Sequence, residues 1–332
     1  MLFMEKILLS LLSLGGMGLL FGAVLAFASK KFAVEKDPRA EAIREVLPGA
    51  NCGACGYPGC DGFADAVASG RAPVDGCTVG GSPVALKIGS IMGVEVDQKE
   101  RVIARVLCQG DCNNAVNKYE YRGIQDCVAA SMLAGGYKGC GYGCLGLGTC
   151  VRACPFDAIH IEDGGIAVVD PDKCTGCGKC VEACPKNLIE LIPESSQVQV
   201  LCISRDPGKQ VRQNCKVGCI GCRLCVKACQ FEAIDFVDNL ARIRYDKCVN
   251  CMVCAEKCPT GAIYADFAKR KVAIIAEDKC IGCTACRKVC KFDAIEGERK
   301  QKHRVLGDKC TGCGQCVERC PVDAITLNLR QN

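Results

Sequence analysis

The chain has 332 residues, of which 33 are cysteine and only two histidine, and its formal charge is +5. Cysteine at about a tenth of the chain is far above ordinary usage, yet an odd count in so long a chain argues against a disulfide framework, which belongs to short secreted scaffolds. Neither His160 nor His303 follows a Cys-x2-Cys pair, so c-type haem is excluded, and no Walker A string occurs.

Ile7 to Ala28 is an uncharged apolar run. As a helix its roughly 22 residues span about 33 Å, enough to cross a bilayer. Lys30 and Lys31 follow at once, with Lys36 and Arg39 beyond, while the other flank offers only Lys6 beside Glu5. The positive-inside rule predicts a single-pass anchor over residues 1–30 in the cell (inner) membrane, with the rest of the chain in the cytoplasm. Ala26-Phe27-Ala28 resembles a leader-peptide cleavage box, but the run is too long and its leading flank too weakly basic for a leader, and no twin arginine precedes it. Gly18, Gly22 and Ala26 make a small-residue stripe suited to packing against another membrane helix.

Residues 31–95 read as a small cluster domain. Asn51-Cys52-Gly53-Ala54-Cys55-Gly56-Tyr57-Pro58-Gly59-Cys60 is followed by Cys77, a C-x2-C-x4-C-x16-C spacing. Three thiolates in one glycine-rich loop hold a [4Fe–4S] cubane from one side. Asp61 to Ser69 reads as a short helix that brings Cys77 round as the fourth ligand. The pattern resembles the small [4Fe–4S] domain of the B subunit of Rnf complexes and of the corrinoid iron–sulfur protein. The preceding Glu35-Lys36-Asp37-Pro38-Arg39 and the apolar run favour the Rnf case.

Residues 96–135 read as a cysteine-containing linker with Cys108, Cys112 and Cys127. Beyond it the sequence repeats. Runs of the form C-x2-C-x2-C-x3-C end at Cys154, Cys184, Cys229, Cys258, Cys290 and Cys320, at intervals of 30, 45, 29, 32 and 30 residues. This is the bacterial ferredoxin run; zinc knuckles set paired cysteines well apart. The repeat predicts three ferredoxin-like modules, residues 136–195, 196–266 and 267–332. Ala158-Ile159, Ala233-Ile234, Ala294-Ile295 and Ala324-Ile325 are read as the starts of strands beside the clusters.

In two-cluster ferredoxins the fourth cysteine of each run ligates the other cluster. Crossing predicts Cys140, Cys144, Cys150 and Cys184 with Cys174, Cys177, Cys180 and Cys154 in the first module. The second holds Cys219, Cys222, Cys225 and Cys258 with Cys248, Cys251, Cys254 and Cys229. The third holds Cys280, Cys283, Cys286 and Cys320 with Cys310, Cys313, Cys316 and Cys290. Two departures stand out: Cys140 to Cys150 is wider than a standard run, and Gln230 and Lys291 replace the proline after Cys229 and Cys290. Gly141, Gly143 and Gly146 form a G-x-G-x-x-G string, but with no strand before it they read as room for a chain wrapping a cluster.

The order of parts, with Cys140-Gly-Tyr-Gly-Cys144-Leu-Gly-Leu-Gly beside them, resembles the long form of the Rnf B subunit along essentially the whole chain. The expected class is α+β: a transmembrane helix, a small [4Fe–4S] domain and three tandem two-cluster ferredoxin-like modules. The resemblance implies electron transfer from reduced soluble ferredoxin through seven [4Fe–4S] clusters to other Rnf subunits, which carry the flavins and the NAD site, coupled to sodium or proton translocation. The alternative is a membrane-tethered polyferredoxin of a hydrogenase or formate-dependent complex, which would lack the domain around Cys52. An eighth cluster on Cys108, Cys112, Cys127 and either Cys202 or Cys215 stays open. Each oxidised cubane with its thiolates carries about −2, taking the loaded chain to roughly −9 and leaving no case for nucleic acid. Arg299, Lys300, Lys302 and Arg304 form a basic run suited to an acidic ferredoxin.

Overall fold

A computed structural model describes residues 2–31, 37–97 and 100–330, with side chains from residue 12 onward. Glu35, Lys36 and the side chains of Glu5 and Lys6, all part of the flanks read above, lie outside the described residues.

Helix α1 (Leu2–Lys31) contains the apolar run and closes on Lys30 and Lys31. Leu12–Lys31 has a mean hydropathy of 1.8 and none of it is buried against the rest of the chain. Leu14, Leu19, Phe21, Leu25 and Phe27 all stand exposed. A helix apolar on every face has no stable place in water, and this one is long enough to cross a bilayer.

Three helices follow. Asp37 caps α2 (Pro38–Val46) by accepting from Arg39 N, with proline at the first helical position. It packs with α3 (Gly59–Ala68) and α4 (Gly81–Met92) around Ile43, Phe63, Val67 and Ile88. The helix expected over Asp61 to Ser69 is α3.

The rest of the chain repeats one unit three times: an outer antiparallel strand pair around an inner hairpin. In the first unit β1 (Val102–Val106) pairs with β4 (Ile189–Pro193) around the hairpin β2 (Ile159–Ile161) and β3 (Ala167–Val169). In the second, β5 (Val198–Val200) pairs with β8 (Ile263–Ala265) around β6 (Ile234–Val237) and β7 (Leu240–Ile243). In the third, β9 (Lys271–Ile275) pairs with β12 (Ile325–Leu329) around β10 (Ile295–Glu296) and β11 (Arg304–Val305). Each Ala-Ile pair starts a strand, with both residues buried.

Unit one therefore starts earlier than the cysteine repeat suggests. Val102–Val106 falls in the stretch read as a linker, yet Val102 pairs with Pro193 and Val106 with Ile189. A strand that carries no ligand is invisible to a repeat counted on cysteines. What remains between β1 and the first run is an insertion holding α5 (Cys127–Met132). Short helices follow in the runs: α6 (Thr149–Arg152) and α7 (Lys179–Ala183) in the first unit. The second carries α8 (Gly208–Asn214) ahead of its runs, then α9 (Leu224–Ala228) and α10 (Val253–Glu256). The third carries α11 (Ala285–Val289) and α12 (Gln315–Glu318).

The units are tied to one another. Gln109 Nε2, just past β1, donates to Gly261 O of the second unit at 2.6 Å. The two positions that lack proline meet each other: Lys291 Nζ donates to Gln230 O and lies over the Phe231 ring, and Phe231 and Phe292 sit 6.3 Å apart.

Candidate iron–sulfur sites

Each run bends its thiols inward by the same backbone device. A left-handed residue precedes the second cysteine position and another follows it, as at Gly282 (φ 71°) and Thr284 (φ 66°) around Cys283. At Gly282 a side chain is barred twice, because a Cβ there would also lie 2.7 Å from Gln301 N. The third cysteine then enters a short helix and is buried, as Cys150, Cys180, Cys225, Cys254, Cys286 and Cys316 are. Burial, then neighbouring cysteines, push the Cys150, Cys180, Cys254 and Cys316 thiols up to about 12. Such thiols ionise only when iron takes the place of the proton.

Cys52, Cys55, Cys60 and Cys77 line one pocket against Leu47 and Phe63. Cys280, Cys283, Cys286 and Cys320 line another. The remaining groups are marked by the cysteines that act electrostatically on their buried members. Cys180 feels Cys174, Cys177 and Cys154. Cys225 feels Cys219, Cys222 and Cys258. Cys251, Cys248, Cys225 and Cys229 act on Cys254, Cys290 and Cys310 act on Cys313, and Cys313, Cys310 and Cys286 act on Cys316. In each case a cysteine from the other run of the unit lies among them.

Among the described residues no three His, Cys, Asp or Glu side chains stand close enough to hold a single metal ion. A zinc ion draws its thiolates to about 2.3 Å, whereas a cubane holds each on its own iron and keeps them farther apart. Two further features suit a cubane. Backbone N–H groups point at sulfur: Gly80 N at Cys77, Ala233 N at Cys229, Ala294 N at Cys290 and Ala324 N at Cys320, at 3.3–3.4 Å. His303, 2% exposed, lines the Cys280 pocket, with its Nδ1 paired to Gln301 O and its Nε2 buried without a protein partner.

The first unit differs from the grouping expected. Cys144, Cys150 and Cys184 share their pocket with Cys127, and Cys140 lines a different cavity. The reason lies in register. Cys144-Leu145-Gly146-Leu147-Gly148-Thr149-Cys150 has the length of Cys280-Ile281-Gly282-Cys283-Thr284-Ala285-Cys286, with Gly146 (φ 66°) in the place of Gly282. The first run thus begins at Cys144, and Leu147 stands where the second cysteine belongs. The G-x-G-x-x-G string is part of this loop; a Cβ on Gly146 would lie 2.2 Å from Gly165 O.

Cys127 fills the gap from the insertion. Asp126 caps α5 by accepting from Val128 N and Ala129 N, and also accepts from Thr149 Oγ1 (2.8 Å) and Arg152 Nη2 (2.7 Å). Thr149 Oγ1 in turn accepts from Cys127 N at 2.8 Å. These bonds, led by that of Ala129, hold the Asp126 carboxyl below the usual range. The signal for Cys127 was Gly146, two residues after Cys144, which aligns the run on Cys144 and leaves one cysteine position of that pocket open. The grouping of Cys108, Cys112 and Cys127 does not form: Cys112 is exposed, with its N–H bonded to Gly164 O, and Cys127 lies in the Cys150 pocket.

The chain matches family models for a 4Fe-4S dicluster domain at residues 142–191, 273–327, 218–262 and 247–294, and for a putative Fe-S cluster at 47–79. It is 48% identical over 253 residues, 76% of each chain, to the B subunit of the Na+-translocating ferredoxin:NAD+ oxidoreductase complex of Acetobacterium woodii. It is 47% identical to the proton-translocating counterpart of Clostridium ljungdahlii, over 79% of this chain and 93% of that one. A third relative is the B subunit of the ion-translocating oxidoreductase complex of Methanosarcina acetivorans, 43% identical over 76% of this chain and 96% of its own.

Proposed function

The chain belongs to the B-subunit family of the Rnf-type ion-translocating ferredoxin:NAD+ oxidoreductases, and we propose that it carries electrons from soluble ferredoxin along a row of [4Fe–4S] clusters to the membrane subunits of such a complex. The observation that carries this reading is the series of four-cysteine groups strung from the small domain to the end of the chain. The clusters supply one-electron acceptance and release; the chain's residues hold, space and shield them.

Seven sites are assigned. Cys52, Cys55, Cys60 and Cys77 serve the small domain. Units spanning 102–193, 198–265 and 271–329 act as two-cluster ferredoxin modules, with Cys127 in place of Cys140 in the first. The flavins and the NAD site belong to partner subunits. Helix α1 anchors the chain by a single pass, and Lys30 and Lys31 at its end favour the cytoplasmic side for everything that follows. The small domain, next to the anchor, is the electron exit.

The third module is the point of arrival. Lys300 N donates to Gly282 O at 2.9 Å, so the basic loop lies against the loop that carries the exposed Cys283. Lys302 and Arg304 are engaged internally, by Cys280 O and Glu296. Arg299 and Lys300 remain to meet an acidic partner. The test is composition and partition. Full-length chain isolated without oxygen should hold about 28 iron atoms or more, and fewer than about 24 overturns the assignment. A chain lacking residues 1–30 should leave the membrane fraction brown and soluble; continued sedimentation with membranes rules out the anchor.

A further inference from the structure

Beyond the seven assigned sites, four more thiols face a single cavity: Cys108, Cys140, Cys202 and Cys215. We propose that these four thiolates hold an additional [4Fe–4S] cluster, seated between the first and second units. The proposal rests on the iron–sulfur reading above.

The four come from separate segments, and each is tied down beside its sulfur. Leu107 N donates to Leu188 O (2.7 Å), Gly139 N to Val116 O (2.6 Å), Leu201 N to Ala262 O (2.8 Å) and Cys215 N to Val211 O (2.8 Å). Ala115 forms a β-bridge with Cys215, and Asn117 forms one with Lys138, so the insertion after β1 stitches the Cys140 and Cys215 segments together. A Cβ on Gly110 would lie 3.5 Å from Cys215 Sγ and 3.7 Å from Cys108 Sγ, so both sulfurs border one small space. Cys108 and Cys215 act electrostatically on Cys140, and Cys140 acts on Cys202. As at the assigned sites, the thiols are not close enough for one metal ion.

Two observations separate this group from ordinary buried thiols. Cys108 Sγ accepts from two backbone N–H groups, Gly110 at 3.4 Å and Cys144 at 3.5 Å, the device seen at Cys77, Cys229, Cys290 and Cys320. Lys138 is 4% exposed, and its Nζ donates to Gly110 O at 2.7 Å. Its charge acts on Cys144 and Cys215. A buried ammonium needs negative charge nearby, and a cubane with four thiolates carries about −2. Asp206 also borders the cavity, with its carboxylate oxygen 3.3 Å from Ser204 Oγ.

The position has a consequence for the row of sites. Cys108 accepts from Cys144 N, and Cys202 feels Cys219. Cys144 belongs to a site of the first unit and Cys219 to one of the second, so the extra site stands between them. Eight sites then use all but one of the 33 cysteines, leaving exposed Cys112.

Native mass spectrometry of the detergent-solubilised full chain, isolated anaerobically, counts clusters directly, and iron and zinc analysis accompanies it. The expected result is eight cubanes and about 32 iron atoms, falling by about four in Cys202→Ser and in Cys215→Ser, with Cys112→Ser unchanged. Seven cubanes in the unsubstituted chain, or zinc in place of the eighth, overturns this proposal and leaves the seven-site reading standing. Fewer than six cubanes sinks that reading itself. The count in the unsubstituted chain decides even where a serine variant fails to fold.

Discussion

The first and third units share their strand order and differ in where the cysteines of their pockets come from. In the third, the cysteines of the Cys280 pocket all lie in two regular runs, 30 residues apart at their fourth positions. In the first, Leu147 occupies the second ligand position and Cys127 reaches in from an insertion that folds back through Asp126 and Thr149. The same pocket is thus built once from local spacing and once from a tertiary contact. The insertion gains a second use, because it also carries Cys108 and ties the first two units together.

The largest expected effect breaks the borrowed site. Cys127→Ser should remove about four iron atoms from the chain, and the double variant Cys127→Ser with Leu147→Cys should restore them by returning the run to the form of the third unit. A single variant that keeps its full iron content would show that Cys127 is not a ligand, and a silent Leu147→Cys would refute the register. A smaller effect is expected at the positioning residue. Asp126→Ala removes a helix cap and the Thr149 and Arg152 contacts. It should speed loss of one cluster of the first unit in a chelator challenge and leave the third unit's signals unchanged. Equal loss from both units would make Asp126 a general stability residue.

The smallest effect is kinetic. Replacing Arg299 and Lys300 with serine should lower the ferredoxin on-rate several-fold at low ionic strength and little at high salt, as steering by exposed charge requires. An unchanged rate at low salt would remove the third unit as the docking site. Lys302 and Arg304 are left in place because they hold the loop itself.

The regular parts were legible in the chain alone. The strand starts at each Ala-Ile pair stand where the repeat put them, the small domain's four cysteines line one pocket, and Cys280, Cys283, Cys286 and Cys320 line another. Each rests on a short loop whose geometry is set by the cysteines and left-handed residues within it. The apolar character of α1 was equally a matter of composition.

Other features were not local. The cysteine intervals alone let the run at 247–262 pair with either neighbour, and one family match does span 247–294; the β5–β8 and β9–β12 ladders close the second unit at Ala265. Strand β1 carries no cysteine and declares itself only by pairing with β4, some 90 residues later. The sequence by itself determined that this is an iron–sulfur chain with an apolar helix long enough to cross a membrane, because thiol spacing within a turn or two constrains a cubane directly. Only the tertiary structure decided that Cys127, and not Cys140, lines the pocket of Cys144, Cys150 and Cys184, and that Cys140 shares a cavity with Cys108, Cys202 and Cys215. Those meetings depend on backbone hydrogen bonds between segments up to about a hundred residues apart, which no local spacing encodes.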